Sequence, residues 1–283
     1  MQSGGLASLP TAMLDMKTAA IQISSGIDVE RNIAACETFF VQARTQGVEL
    51  LVFPENVLYR GKDEGFRASA SAIPGPVTER LCALSRTHAM AAVWGGIVEN
   101  VSGRYHNSCV FISASGEILS VYRKMHLFEL YDGDTALYHE SELFTPGSEI
   151  VITRHGGFTF GSSICYDLRF PELYRAMVEQ GADVMLVPSD FTRRTGQAHW
   201  LPLLQARAIE NLSYVVAPNE SGVNAETGAT SHGNSCIISP WGEVLAACDG
   251  EGQGMCVADL TQEAIRAARQ RIRALAHRRQ FHL

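Results

Sequence analysis

A cysteine, a glutamate and a lysine each follow an apolar segment of this sequence. These three residue types can act together in catalysis. Cys165 comes directly after residues 158–164 and shortly before Pro171, where a helix is predicted to begin. Such a strand-to-helix turn exposes the side chain, and nearby helix N–H groups favour the thiolate. A nucleophilic cysteine needs this help, because an ordinary thiol is only a few per cent ionised at neutral pH. Cys165 is therefore the candidate nucleophile, and the other cysteines are interpreted as core residues.

Two charged residues stand in comparable places. Glu55 follows the apolar run 50–53 and a proline, and Lys124 follows the strand-like residues 118–122. A carboxylate at a buried strand end has its pKa raised by desolvation and lowered by an adjacent ammonium group. Taken singly, either residue would more often be an exposed loop residue. Their occurrence together with Cys165, each at the end of an ordered segment, indicates one reactive site.

The elements that would position these residues alternate between strands and helices. Hydrophobic periodicity predicts helices over residues 28–46, 76–88, 171–180, 196–211 and 261–277. It predicts strands at 18–23, 50–53, 89–98, 158–164, 184–187 and 214–217, a hairpin over 105–113 and 118–122, and short strands near 236, 244 and 255. Such alternation implies an α/β sandwich with buried strands. No linker divides it, so we expect a disordered N-terminal extension over 1–15 and a single domain over 16–283.

One internal similarity links two of these elements. Residues 46–54 and 180–188 share one pattern, in which a helix end is followed by glycine, an acidic residue, four apolar residues and proline. Any helix–strand unit could produce this pattern by chance. The alternative is a fold of two similar halves, whose strand ends build the site together. It would place Glu55 in one half and Ser189 and Asp190 in the other at equivalent positions.

Composition excludes several functional classes. The 283 residues carry a formal net charge of −7, which argues against a general nucleic-acid or acidic-membrane binder. The seven cysteines are odd in number and form no CxxC pair, so a disulfide framework or zinc knuckle is not expected. A reducing, cytoplasmic location fits this cysteine usage. No apolar run approaches the roughly 20 residues of a membrane span, and no cofactor or metal is expected.

Residues 53–56, 122–128 and 164–174 resemble the three catalytic segments of the nitrilase superfamily of carbon–nitrogen hydrolases. Further blocks that resemble this family lie at 195–200, 206–210, 232–235 and 240–243, so the likeness runs from about residue 17 to residue 279. The resemblance implies a four-layer αββα sandwich with two pseudo-symmetric halves. It also implies a homodimer or higher homo-oligomer, and a small-molecule amide as substrate.

The resemblance further implies a role for each matching residue. Cys165 corresponds to the nucleophile, Glu55 to the general base and Lys124 to the cation beside the oxyanion. Glu140 corresponds to the second glutamate of the family, with Glu142 as the alternative in register. An ordinary exposed acidic loop would also explain these two glutamates.

Within the family, the blocks around Cys165 and residues 195–200 are similar to those of the deaminated-glutathione-amidase and omega-amidase branch. This implies hydrolysis of the amide of a small carboxylate-bearing substrate to acid and ammonia through a cysteine thioester. Residues 206–210 favour the deaminated-glutathione type. The alternatives are an omega-amidase acting on 2-oxoglutaramate or 2-oxosuccinamate, an N-carbamoyl amino acid hydrolase, or a non-enzymatic scaffold. Residues 129–135 lack the proline-containing loop expected at the substrate entrance.

Candidate substrate-binding residues surround the nucleophile. Arg169 could pair with a substrate carboxylate in bidentate geometry, or form a structural salt bridge to Asp167 or Glu172. Other side chains on loops that could line the same pocket are Tyr59, Tyr166, Phe191 and Thr195.

Two other active-site chemistries are disfavoured. His126 and His199 suggest a cysteine–histidine pair, but Glu55 already supplies a base. A nitrilase proper normally carries tryptophan after the nucleophile, where this chain has Tyr166.

Overall fold

Two β-sheets lie face to face, each covered by helices on its outer side, in the computed structural model, which describes residues 15–132 and 135–279. The first part of the chain contains β1 (Asp15–Ile23), α1 (Val29–Thr45), β2 (Leu50–Phe53), α2 (Asp63–Ser69), α3 (Pro76–His88), β3 (Ala91–Val101), β4 (Arg104–Ile112) and β5 (Ile118–Arg123). A small hairpin follows, formed by β6 (Glu129–Asp132) and β7 (Thr135–His139), with a 3-10 turn at Glu140–Glu142.

The second part of the chain has the same alternation. It contains β8 (Ile152–His155), β9 (Phe158–Ser162), a 3-10 turn at Cys165–Arg169, α4 (Pro171–Glu179), β10 (Val184–Leu186), α5 (Arg193–Asn211) and β11 (Tyr214–Ala217). The remaining elements are β12 (Asn219–Val223), β13 (Thr230–His232), β14 (Cys236–Ile238), β15 (Val244–Ala247), β16 (Gly254–Thr261) and α6 (Gln262–Arg271).

The strand order separates two sheets. The larger sheet runs β13-β12-β1-β2-β3-β4-β5, with β16 antiparallel beside β1, and the other runs β15-β14-β11-β10-β9-β8. In the first sheet β2 pairs in parallel with β1 and β3, and in the second β10 pairs in parallel with β9 and β11. The carboxyl ends of these central strands are where polar residues begin.

The period of two in β2 explains the layers. Successive strand side chains point to opposite faces, so Leu51 and Phe53 pack with α1 and α3, whereas Leu50 and Val52 pack towards the second sheet. The core between the sheets continues into the face of the second sheet that α4 and α5 cover. The predicted four-layer αββα sandwich is therefore confirmed.

The internal similarity of sequence corresponds to a similarity of structure. β2 and β10 are each the middle strand of a parallel trio, and each is preceded by a helix that ends near a glycine in the left-handed region. These glycines are Gly47, with φ 69°, and Gly181, with φ 90°. A glycine at this place ends a helix without steric cost. The two halves thus repeat one helix–strand unit.

Some expected boundaries differ from the structure. The last helix, predicted over 261–277, ends at Arg271, because Ile272 adopts an extended conformation with φ −128° and ψ 111°. The predicted disordered extension lies outside the described residues except for Asp15, which begins β1. Of residues 129–135, expected as an atypical loop, Glu129–Asp132 form β6 and Thr135 begins β7, whereas 133 and 134 lie outside the described residues. In the described part of the chain, no helix is long and apolar enough to cross a bilayer.

Candidate active site

Four side chains singled out in the sequence meet where these strands end. Glu55 lies just beyond β2, Lys124 follows β5, and Glu140 and Cys165 each begin a 3-10 turn. Glu55, Lys124 and Glu140 are only 3 %, 2 % and 4 % exposed. Burying such charges is costly unless they are paired, so their mutual contacts must provide the compensation.

Lys124 provides that compensation by contacting both glutamates. Its Nζ donates to Oε1 of Glu55 at 2.8 Å and to Oε2 of Glu140 at 2.7 Å. The backbone N–H of Phe128 also donates to Glu140 Oε2, at 2.7 Å. Glu142, the alternative in register, is exposed. The structure therefore brings Glu140, and not Glu142, to the lysine.

The charges of this cluster set its proton affinities. Burial and the neighbouring Glu140 hold the pKa of Glu55 above its usual value, although Lys124 acts against them. Burial alone would lower the pKa of Lys124, but the two adjacent carboxylates outweigh it and hold that pKa well above the usual range. The two carboxylates therefore stabilise Lys124 as a cation, and the raised pKa of Glu55 makes it a stronger proton acceptor than an ordinary carboxylate.

Two further groups complete the surroundings of Glu55. Asn107 Nδ2 donates to Glu55 Oε1 at 2.8 Å and to Glu140 Oε1 at 2.9 Å. The backbone N–H of Asp190 donates to Glu55 Oε2 at 2.9 Å. The sequence similarity of the two halves had indicated the Asp190 position. Asn107 was missed, and the only available signal was a polar residue inside an otherwise apolar strand.

Cys165 differs from the expected exposed thiolate. Its side chain is buried, and burial, followed by the negative Glu55, raises the pKa of its thiol well above the usual value despite Lys124. The structure differs from the expectation because Cys165 itself begins the 3-10 turn, whereas α4, the helix expected to favour the thiolate, starts only at Pro171. Its backbone adopts a left-handed conformation with φ 47°, and its N–H donates to the carbonyl of Pro188 at 2.9 Å. Such a thiol needs a base to remove its proton, rather than a helix terminus to stabilise its thiolate.

The buried Asp167 organises the residues on either side of Cys165. It accepts hydrogen bonds from the Tyr122 hydroxyl at 2.7 Å and from the Ile164 N–H at 2.9 Å, and its Oδ1 lies 2.7 Å from Nδ1 of His126. The His126 ring also stacks on Phe170, with centroids 3.6 Å apart. His126 is thus engaged in a structural contact, and Glu55 is the carboxylate beside Cys165.

Cys165 opens into two adjoining cavities. The larger one, of about 280 Å³, is lined by the three charged residues of the cluster and by residues of two hairpins, β6–β7 and β12–β13. The hairpin residues are Leu130, Tyr138, Asn224, Thr227 and Ala229. The smaller cavity contains four of the predicted substrate-binding residues, namely Tyr166, Arg169, Phe191 and Thr195.

Arg169 lies in the smaller cavity among aromatic rings. Its guanidinium carbon is 5.7 Å from the ring centre of Tyr166 and 5.6 Å from that of Phe191. Its Nη1 lies 3.3 Å from Nδ1 of His199. Among the described residues no carboxylate forms an ion pair with it, so the suggested salt bridge to Asp167 or Glu172 is not formed. Its charge remains available to a ligand.

Tyr59 is the predicted substrate-binding residue that lies elsewhere. It is buried, packs edge-on against Phe66 with centroids 4.9 Å apart, and donates its hydroxyl to the carbonyl of Lys62 at 3.2 Å. It lines neither of the two cavities at Cys165. Because Phe66 does line the larger cavity, Tyr59 supports the wall from behind.

The sequence profile of the carbon-nitrogen hydrolase family matches residues 17–270. The chain belongs to this family. A protein of Synechocystis sp. named deaminated glutathione amidase is 37 % identical over 265 residues, which cover 92 % of this chain and 97 % of that protein. Omega-amidase NIT2 of Homo sapiens is 29 % identical, with 94 % of this chain and 96 % of that protein covered.

A solved structure shows the same relationship. The crystal structure of Saccharomyces cerevisiae Nit3, described as a member of branch 10 of the nitrilase superfamily, has a TM-score of 0.82. It is 28 % identical, and the match covers 92 % of this chain and 94 % of that chain. The protein is thus a nitrilase-superfamily hydrolase that acts on carbon–nitrogen bonds other than peptide bonds.

Proposed function

We propose that this hydrolase cleaves the amide of a small carboxylate-bearing substrate to an acid and an amine, and that deaminated glutathione, whose secondary amide would release cysteinylglycine, is that substrate. The observation that carries the proposal is the position of Cys165 between two features. On one side is the buried cluster in which Lys124 joins Glu55 and Glu140, and on the other is the cavity lined by Arg169, which has no carboxylate partner among the described residues. The name of the Synechocystis relative supports the same substrate.

In the first half-reaction, Glu55 accepts the thiol proton while the sulfur of Cys165 attacks the amide carbonyl carbon. The high pKa of the buried thiol makes this proton transfer necessary, and the raised pKa of Glu55 makes the carboxylate a stronger base. The tetrahedral oxyanion is stabilised by the Lys124 ammonium and the backbone N–H of Tyr166. One such donor typically contributes a factor of about 10²–10³ in rate.

The second half-reaction releases the product. Glu55 returns its proton to the departing nitrogen, so that the amine leaves, as ammonia where the amide is primary, and a thioester remains on Cys165. Water then gives a proton to Glu55 and attacks the thioester carbonyl, after which the acid departs and the thiol is restored. Glu140 holds Lys124 in place throughout, because it accepts a hydrogen bond from the ammonium.

Arg169 would recognise the substrate carboxylate. Its guanidinium is half-buried beside the nucleophile and has no carboxylate partner among the described residues. A guanidinium pairs with a carboxylate in bidentate geometry. The same argument holds for 2-oxoglutaramate, so omega-amidase activity is the second candidate function. Deaminated glutathione is the longer of the two, because its amide nitrogen carries cysteinylglycine instead of hydrogen, and the larger cavity of about 280 Å³ favours it.

We also propose that the protein forms a homodimer or higher homo-oligomer in the cytoplasm. Three exposed apolar side chains lie near one another, namely Ile209, Trp241 and Ile272. Ile209 packs beside Gly242, and the Arg271 guanidinium lies 4.7 Å from the Trp241 ring centre. Light scattering after gel filtration would measure the number of subunits.

The cysteines support the proposed compartment. All seven are free thiols, as a reducing compartment would maintain them.

The proposal is tested by product release from a panel of amides, measured as cysteinylglycine from deaminated glutathione and as ammonia from the other amides, with Cys165→Ala as the inactive variant and Cys248→Ala as the matched cysteine control. The panel contains deaminated glutathione, 2-oxoglutaramate, an N-carbamoyl amino acid and an aliphatic amide. We expect selective turnover of deaminated glutathione by the wild type and by Cys248→Ala, with none by Cys165→Ala. Preference for 2-oxoglutaramate would identify an omega-amidase. Activity that survives in Cys165→Ala would refute the nucleophile, and an inactive wild type would indicate other amides or a scaffold.

A further inference from the structure

We propose that Asn107 is a positioning residue of the reaction, because its amide bridges Glu55 and Glu140 and orients Glu55 towards Cys165. This inference rests on the proposed function, in which Glu55 is the base. Asn107 lies on β4 and is 3 % exposed. Its backbone carbonyl accepts the N–H of Lys124 at 2.8 Å. This backbone contact would persist in a variant, so the contribution of the side chain can be tested separately.

The bridging geometry suits a site with more negative than positive charge. Two buried carboxylates share one ammonium, that of Lys124, and like charges repel strongly when water is excluded. Asn107 Nδ2 has two hydrogens and directs one to each glutamate, at 2.8 and 2.9 Å. The amide therefore joins the two carboxylates without adding charge.

The bridge also makes the two oxygens of Glu55 unequal. Oε1 accepts from both Lys124 and Asn107, whereas Oε2 accepts a single N–H among the described residues, that of Asp190. Oε2 therefore has the greater remaining capacity to accept a proton. The thiol of Cys165 lies close enough to Glu55 for the carboxylate to raise the pKa of the thiol. Asn107 thus occupies one oxygen and leaves the other for the thiol.

The other end of the amide supports this role. The Oδ1 atom of Asn107 is buried and receives no hydrogen bond from the described residues. Buried acceptors without a donor are rare in folded proteins and require an explanation. Rotating the amide to satisfy Oδ1 would direct an oxygen at two carboxylates. The orientation is therefore dictated by Glu55 and Glu140, as expected for a residue selected to bind them.

Asn107 does not line the cavities at Cys165, so its effect should be on catalysis rather than on binding. The decisive variant is Asn107→Leu, which keeps the shape of the side chain and removes both donors. Asn107→Ala removes the donors in a smaller side chain. Ser108→Ala is the matched control, because Ser108 is the next residue of β4 and donates to the buried Glu99 at 2.8 Å, away from the cluster.

We expect kcat for the preferred amide to fall about 10- to 100-fold in Asn107→Leu and Asn107→Ala, the range given by the loss of a hydrogen bond to a charged group. KM should stay within about threefold of wild type, and Ser108→Ala should retain kcat within about twofold. Urea unfolding of all three variants shows whether each is folded. If Asn107→Leu does not fold, Asn107→Ala decides.

The pH profile gives a second measurement that a merely structural role would not change. A hydrogen bond to a carboxylate lowers its pKa, so losing the Asn107 donor raises the pKa of Glu55. The acidic limb of kcat/KM should therefore move to higher pH in both variants. The other titratable groups that face Glu55 are unchanged in these variants; they are Lys124, Glu140, Tyr138, Cys165 and Asp190.

A folded Asn107→Leu variant with kcat within about twofold of wild type, or with an unmoved acidic limb, would overturn the inference. In that case Cys165→Ala and Glu55→Gln would still be inactive if the proposed function is correct. If the proposed function itself is wrong, Cys165→Ala or Glu55→Gln would instead keep the wild-type rate. The two failures therefore give different results.

Discussion

At the scale of single residues, the candidate site pairs a buried thiol with a buried carboxylate. Burial raises the pKa of both Cys165 and Glu55, which disfavours the free thiolate and makes Glu55 a stronger proton acceptor than an ordinary carboxylate. Lys124 stays charged because two carboxylates surround it. The residues that could recognise the rest of the substrate lie on the opposite side of Cys165. Reaction and recognition are therefore carried by different side chains.

Arg169 allows this division to be tested. Arg169→Met keeps much of the side-chain length and removes the charge, and Arg169→Lys keeps the charge without the bidentate geometry. For a carboxylate-bearing amide we expect kcat/KM to fall about 10- to 100-fold in Arg169→Met, mostly through KM, and less in Arg169→Lys. For a neutral aliphatic amide both variants should stay close to wild type. Equal losses on the two substrates would mean that Arg169 supports the fold or the nucleophile instead.

At the scale of secondary-structure elements, a bulge in β3 makes room for the base. Pairing between β3 and β4 shifts register between Trp94 and Ile97, where two glycines interrupt the strand. A Cβ on Gly96 would lie 2.4 Å from the N of Asn56 and 2.9 Å from Cγ of Glu55, and its φ is 65°. Glycine is required there both by the conformation and by the close approach. The turn that carries Glu55 therefore rests directly on the bulge.

We expect Gly96→Ala to displace Glu55 and to lower kcat by about 10²-fold or more, since a displacement of about 1 Å near the chemistry can cost that much. Gly103→Ala is the matched control, because Gly103 has a φ of 86° but no atom within 4 Å of the added Cβ. Both variants should lose about 1 kcal/mol of unfolding free energy or more from the left-handed conformation. Steady-state kinetics and urea unfolding measure the two effects. A normal kcat in Gly96→Ala would show that the bulge does not position the base.

At the scale of the whole molecule, a buried ionic network joins distant parts of the chain behind the site. Arg60 Nε lies 3.2 Å from Asp190 Oδ2, and its Nη1 lies 3.8 Å from Glu220 Oε2. Ser25 donates to Glu220 through its N–H at 2.9 Å and its hydroxyl at 2.6 Å. Asp190 in turn directs its N–H to Glu55. The loop after β2, the strand β12 and the loop after β10 are thus held together.

Glu220 should make the stability of the molecule depend on pH. Burial raises its pKa to about 8, against 4.5 for the free side chain. The folded protein therefore binds this proton more tightly than the unfolded chain does. The resulting stabilisation is complete below about pH 4.5 and is lost as the pH rises towards about 8.

In Glu220→Gln, the fall in unfolding free energy from about pH 5 to about pH 8 should be smaller than in wild type, by on the order of 3 kcal/mol. Urea unfolding at several pH values measures this difference. Glu243→Gln, at an exposed glutamate, should follow the wild-type curve. A Glu220→Gln curve parallel to that of wild type would show that Glu220 does not carry the pH dependence.

The sequence by itself indicated the candidate catalytic residues, because their signals are local. An apolar run followed by a proline and an acidic residue predicts that Glu55 stands at a buried strand end, and strand–turn–helix order does the same for Cys165. The period of two in β2 determines which side chains face the helices and which face the other sheet. These patterns depend on backbone geometry over a few residues, which is why an α/β sandwich could be predicted from them, whereas its four layers were implied by the family resemblance.

Only the tertiary structure decided how these residues are held. Asn107 meets Glu55 across 52 residues of chain, and Asp190 meets it across 135. Such contacts depend on strand register and on the bulge in β3, for which no local pattern exists. The burial of the Cys165 thiol and the place of Tyr59 behind the cavity wall were likewise set by packing between elements. Long-range packing determines how far the side chains of the site are removed from water and how far apart they lie. These two factors determine the proton affinities of the groups and the geometry of the site.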